Sequence, residues 1–157
     1  MIRAIVAIDT KRGLADDHGI PWQGQLPTDV KYYRDKIYTA DILMGYGLYK
    51  ELSKSQGPFT NYVATSSDES LKSGFQKVTD ARKFLQEASG DVWNTGGAAL
   101  FASTFDLVDE LYITQLDQDF HCTKFFPEYK DAFQMVSETK PQTENGITFT
   151  FQIWHRK

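Results

Sequence analysis

The chain has 157 residues, enough for one domain with a substantial hydrophobic core. It is 41% hydrophobic and 24% charged, with a formal net charge of −4 and no dense Lys/Arg run, which argues against nucleic acid or an anionic membrane as partner. Cys122 is the only cysteine, which rules out an intrachain disulfide, and His18, His121 and His155 lack metal-ligand spacing, so no metal is expected.

No apolar run approaches the roughly 20 residues of a membrane span. The opening MIRAIVAID meets charge at Asp9, too early for a signal-peptide core. The expectation is one cytoplasmic domain over residues 1–157, acting as a monomer on a small molecule.

Ile2 to Ile8 is an apolar, β-branched run suited to a strand buried on both faces. Lys11 to Gln25 is polar and glycine-containing, with a Pro-Trp pair, and reads as a long loop. Thr28 is placed to cap a helix running to about Lys36, with Asp29 in its first turn. DILMG predicts a short strand ending at Gly45, followed by a helical GLYKELSK, and NYVATSS a strand from Asn61 to Ser67. Thr79 to Ala88 puts Ala81, Phe84, Leu85 and Ala88 on one helix face. DVWNT is a strand leading to Gly96-Gly97, and AALFAST a helix. ELYITQLD, AFQMVSE and ITFTFQIWH are strands, with Asn145-Gly146 a hairpin signal before the last.

This order predicts a single-domain α/β fold. Its mostly parallel sheet has about eight strands, a C-terminal antiparallel hairpin and helices on both faces.

Helical spacing puts Tyr32 and Tyr33 on or beside the face of Asp29. Position alone also permits a lesser role, in which Asp29 merely stabilises the helix dipole by about 0.3–1 kcal/mol. The apolar Ile20-Pro21-Trp22 and Leu26-Pro27 nearby favour more. An acid among such neighbours has a raised pKa unless paired, and a flat cation with amidine-like N–H donors would pair with it bidentately.

IRAIVAID, GIPW, LPTDVKYYR, MGY, NYVATSS, TGGAALF, LYITQLD and TKFFPEY, in this order across almost the whole chain, resemble the dihydrofolate reductase family. The resemblance implies hydride transfer from NADPH to C6 of 7,8-dihydrofolate, with protonation at N5. It implies Asp29, Trp22 and Thr114 as the catalytic set: Asp29 anchors the pterin, Thr114 hydrogen-bonds Asp29, and the loop carrying Ile20 and Trp22 closes over the nicotinamide. Ile5, Val6, Ala7, Val30, Tyr33 and Leu52 are implied to line the substrate site. For the cofactor it implies Ala7, Ile8, Leu14 and Ile20, then Gly45, Tyr46, Gly47 and Leu48, then Thr65, Ser66 and Ser67. The last cofactor segment is Gly96, Gly97, Ala98, Ala99 and Leu100, with a cis Gly96-Gly97 peptide.

Three features depart from the family pattern. Tyr46 and Gly47 follow Gly45 where a basic and a polar residue usually grip cofactor phosphate, and Asp68 and Glu69 follow Ser67 where a cation often sits. These changes leave NADH use open. The arginine that pairs with the folate glutamate tail is absent from Gly57-Pro58-Phe59-Thr60, with Lys54 the nearest replacement. Gln23-Gly24-Gln25 lengthens the loop before Leu26. The alternatives are a reductase of another heterocycle, such as the pyrimidine intermediate of riboflavin synthesis, and a pterin-binding protein without turnover.

Overall fold

The computed structural model describes residues 1–157. Its sheet grows outward from β1 (Ile2–Ile8). On one side β1 pairs in parallel with β6 (Val92–Asn94), followed by β3 (Asp41–Gly45), β4 (Asn61–Ala64) and β5 (Phe75–Val78), all parallel. On the other side β7 (Glu110–Leu116) is parallel to β1, and β11 (Ile147–Arg156) runs antiparallel to β7. β10 (Gln142–Glu144) and β9 (Phe133–Glu138) share the outer edge of β11, making nine strands in all.

Alternation along the strands sorts side chains onto two faces. Ile2, Ala4, Ile8, Leu43, Val92, Leu111 and Ile113 join one core with residues of α3 (Ala81–Glu87) and α4 (Ala98–Thr104). Ile5, Ile42, Met44, Val63 and Trp93 join a second core with Ile37 of α1 (Pro27–Ile37) and Tyr49 of α2 (Tyr46–Glu51). Helices therefore cover both faces, as expected. A third core gathers Trp22, Leu26, Leu116, Phe149 and Phe151 beneath the long loop.

Several boundaries differ from the sequence expectation. Leu26, not Thr28, is the N-cap of α1, because Pro27 starts the helix one residue earlier and Leu26 is buried in the third core. Helix α2 stops at Glu51, and β4 at Ala64. The loop after β1 contains β2 (Gly13–Ala15), paired with β8 (Lys124–Phe125). Strand β5 alternates poorly, burying only Phe75 and Val78 at its ends. The hairpin signal is in place, with φ of 49° at Asn145 and 78° at Gly146, but the strand entering the turn is β10. The AFQMVSE segment forms β9, which pairs with the distal half of β11 beyond Pro141.

No helix is long and apolar enough to cross a membrane.

Candidate active site

Helix α1 is largely polar and fully buries only Ile37. Its tyrosines orient it. Tyr32 stacks on Phe151 of β11 at a centroid distance of 3.9 Å, a contact of about 0.5–1.5 kcal/mol beyond its area burial. Tyr33 turns instead toward Thr95, just past β6, and burial pushes its hydroxyl's pKa up to about 12.

Between these two anchors, Asp29 faces β7. The Thr114 hydroxyl donates to Asp29 Oδ1 at 2.6 Å, and Thr114 itself is 3% exposed. Burial raises the Asp29 pKa above the ordinary carboxylate range, the Thr114 bond opposes the shift, and the Glu144 charge adds to it. Asp29 has no ion-pair partner within the chain. A desolvated carboxylate with one neutral donor is a group arranged for a cationic or multiply donating ligand.

Strand β1 runs beside this pair, with Ala7 in register with Thr114. Ile5 is buried in the core under α1, and Ala7 packs against the third core. Val6 points the other way, into the core under α4, so only its backbone is available on the Asp29 face. Ile8, Leu14 and Leu100 also commit their side chains to that core. Leu48 and Leu52 pack partly buried on the second core, while Val30 is 49% exposed.

The long loop treats Trp22 and Ile20 differently. Trp22 is 4% exposed and packs against Phe120 at 5.0 Å. Ile20 is 44% exposed and free to meet a ligand.

The remaining predicted segments line up along the C-terminal ends of neighbouring strands, where open α/β sheets bind ligands. Gly45 ends β3 and its amide donates to the Gly96 carbonyl at 2.7 Å. The Gly96-Gly97 peptide is cis. A Cβ at Gly96 would lie 2.4 Å from Phe101 Cε2, at φ +83°, whereas a Cβ at Gly97 or Gly47 would meet nothing within 4 Å. Gly96 is thus fixed by packing, and Gly97 and Gly47 border open space. Helix geometry leaves the Ala98, Ala99 and Leu100 amides without intrahelical acceptors. At the end of β4 the Thr65 hydroxyl accepts from the Ser67 amide at 3.0 Å, and Ser66 is exposed.

Four residues with a part in this site carried little sequence signal. Asn94 shapes the Gly-Gly turn, accepting from the Gly96 amide at 3.1 Å and donating to Thr104 at 2.9 Å. A buried amide in an apolar strand just before two glycines was the available clue. Thr95 ties that turn to β3, its hydroxyl donating to the Leu43 carbonyl at 3.1 Å beside Tyr33. Lys77 on β5 donates to the Ser67 carbonyl at 2.5 Å, putting a cation beside the serines. Lys72 goes elsewhere, to the Leu52 carbonyl at 2.6 Å. Tyr46 is held by Glu69 through a 2.9 Å hydrogen bond, with the Lys50 ammonium 5.3 Å from its ring centroid. The fourth, Glu144, bonds Thr28 from across the fold.

The departures noted in the sequence persist in three dimensions. Phe59 is 48% exposed, and Lys54 is exposed on the loop after α2.

Residues 1–156 match the family model described as dihydrofolate reductase. The dihydrofolate reductase of Bacillus subtilis (strain 168) is 28% identical, the alignment covering 100% of this chain and 95% of the relative. That of Staphylococcus aureus (strain Mu50 / ATCC 700699) is 30% identical, covering 98% and 96%. In three dimensions the chain is similar to a dihydrofolate reductase from Enterococcus faecalis solved in complex with NADP(H) and RAB-propyl. The TM-score is 0.84 at 22% identity, with 100% of this chain and 96% of that one covered. On the full-length family match and these relatives, the chain belongs to the dihydrofolate reductase family.

Proposed function

We propose that residues 1–157 act as one monomeric, cytoplasmic domain that reduces 7,8-dihydrofolate to tetrahydrofolate with NADPH. The observation that carries this reading is the Asp29–Thr114 pair, a desolvated carboxylate with one neutral donor. It lies on the same sheet face as Tyr33, whose hydroxyl reaches Thr95 at the start of the Gly-Gly turn.

The residues present fit the cofactor. Gly45, Gly47 and Gly97 leave the backbone bare along one rim, and the space beside Gly47 and Gly97 is open. The family relative from Enterococcus faecalis carries NADP(H). When bound, the reduced nicotinamide supplies the hydride. Gly97 and the first amides of α4 would hold its pyrophosphate, and Ser66, Ser67 and Lys77 its ribose phosphate.

The chain's own residues handle binding and the proton. Asp29 pairs with the amino and N3 side of the pterin, fixing the ring's orientation. Its negative charge favours protonation at N5, which leaves C6 electron-poor. Thr114 spends its hydroxyl hydrogen on Oδ1 and so holds the carboxylate in one rotamer. Trp22 and Leu26, packed in the third core, keep water from that side of the site.

One observation favours a second reading. Phe59 presents an exposed ring in the segment where the family carries its tail-binding arginine, which suits a substrate without a glutamate tail. Steady-state kinetics with dihydrofolate and with a tail-less 7,8-dihydropterin separate the two. Turnover of dihydrofolate with the lower KM supports the main reading, and turnover of neither substrate sinks both.

A further inference from the structure

Helix α1 begins without a side-chain cap of its own, since Leu26 occupies the N-cap. Its first turn is capped from the C-terminal hairpin instead. The Thr28 amide donates to Glu144 Oε1 at 3.1 Å, and the Thr28 hydroxyl donates to Glu144 Oε2. The adjoining Asn145 donates from Nδ2 to the Gln25 carbonyl at 2.7 Å. Three hydrogen bonds therefore stitch the β10–β11 turn to the segment that delivers Asp29.

Asp29 is the next residue after Thr28, so it is constrained twice by one antiparallel corner. Thr114 holds its carboxylate from β7. Glu144 holds its helix turn from β10, the two strands being joined through β11, where Thr114 is in register with Phe151 and Glu144 with Ile147. The second constraint is itself a carboxylate, held on the residue next to Asp29. A neutral Ser, Thr or Asn accepts from first-turn amides as well as a glutamate does, so capping alone does not require the charge.

We infer that Glu144 is a positioning residue for the reaction: from the C-terminal hairpin it fixes the first turn of α1 and sets a second negative charge one residue from Asp29. This rests on Asp29 being the pterin anchor. The groups facing Asp29 are few. Tyr32 and Tyr33 lie on its own helix, Thr114 comes from β7, and Glu144 from β10. Glu144 is the only carboxylate among them. Its effect on Asp29 adds to that of burial.

The test is Glu144→Gln, which keeps an acceptor oxygen for Thr28 and removes the charge. The Asp29 carboxyl is titrated by 13C NMR in the ligand-free protein, with thermal melts alongside. The expected result is a midpoint lowered by about half to one pH unit, the effect of losing one partly screened like charge, at a nearly unchanged Tm. An unmoved midpoint overturns the inference and reduces Glu144 to a structural cap. If Glu144→Gln does not fold, Glu144→Ala removes the same charge without requiring an amide to fit at Thr28. Its midpoint should also fall, and an unchanged one overturns the inference equally. The titration needs no substrate, so failure of the dihydrofolate assay would overturn the functional reading and leave this result standing.

Discussion

Asp29→Asn is predicted to stabilise the protein while disabling it. Burial, the largest influence, raises the Asp29 pKa in the folded chain, and Glu144 reinforces the shift against the Thr114 bond. Below about pH 4 the carboxyl is protonated in both folded and unfolded chains and costs nothing. As pH rises, the unfolded chain releases the proton first, and stability is lost until the folded pKa has been passed. The full penalty then stands at neutral pH. Each unit of upward shift costs about 1.4 kcal/mol, equivalent to roughly 3–6 °C in Tm for a domain of this size. Asparagine has the same shape, keeps an oxygen for the Thr114 hydroxyl and carries no charge to desolvate. Its Tm should exceed that of the parent at pH 7, and the gain should vanish near pH 4. Turnover should fall by about ten-fold to over a hundred-fold, the worth of one hydrogen bond to a charged group, with partial recovery in acid, where the substrate itself is protonated. Thermal melts across pH, paired with initial rates, read both effects. A lower Tm at pH 7, or a difference that does not change with pH, would refute the reasoning.

Thr114→Val removes the only donor to Asp29, so kcat/KM should fall about ten-fold and the Asp29 midpoint should rise, both measurable against the parent. The two glycines of the turn should separate cleanly. Gly96→Ala meets Phe101 at 2.4 Å and should unfold at markedly lower temperature, whereas Gly97→Ala has free space and should keep its Tm but lose about ten-fold or more in cofactor affinity by fluorescence titration. NADPH should be preferred over NADH, by a smaller margin than is usual for the family. Lys77→Met should narrow that margin about ten-fold, because Lys77 is the cation placed at Ser67. Tyr46→Arg should widen it by adding a cation where Tyr46 now engages Glu69. Competing kcat/KM values decide both, and a parental preference well above a thousand-fold would mean that a further phosphate-binding cation operates.

The alternation of apolar strands with amphipathic helices made the α/β class legible, and the Asn145-Gly146 turn placed the antiparallel end. The Asp29–Thr114 pair was legible only through resemblance, because 85 residues separate its members and no periodicity links them. Strands β2, β8 and β10 are two or three residues long, too short for a hydrophobic pattern to develop. Thr28 carried a cap signal that Pro27 overrode by starting the helix a residue sooner. Glu144 meets Thr28 across 116 positions, and Lys77 reaches Ser67 only because β5 lies beside β4. Contacts of that kind are made by sheet order, which local sequence does not encode. Val6, Leu14 and Leu100 went into the core for the same reason: which face a strand or helix buries depends on its neighbours.

In the proposed reaction Asp29 serves the reduction of dihydrofolate by a reduced nicotinamide. The direct measurement mixes the purified protein with NADPH and 7,8-dihydrofolate and follows the loss of the reduced cofactor's near-ultraviolet absorbance, with the Asp29→Asn protein in parallel. The loss should depend on both reactants, and the rate for Asp29→Asn should be at least about ten-fold lower at neutral pH. Equal rates for the two proteins, or no consumption of NADPH by the parent, would contradict that role.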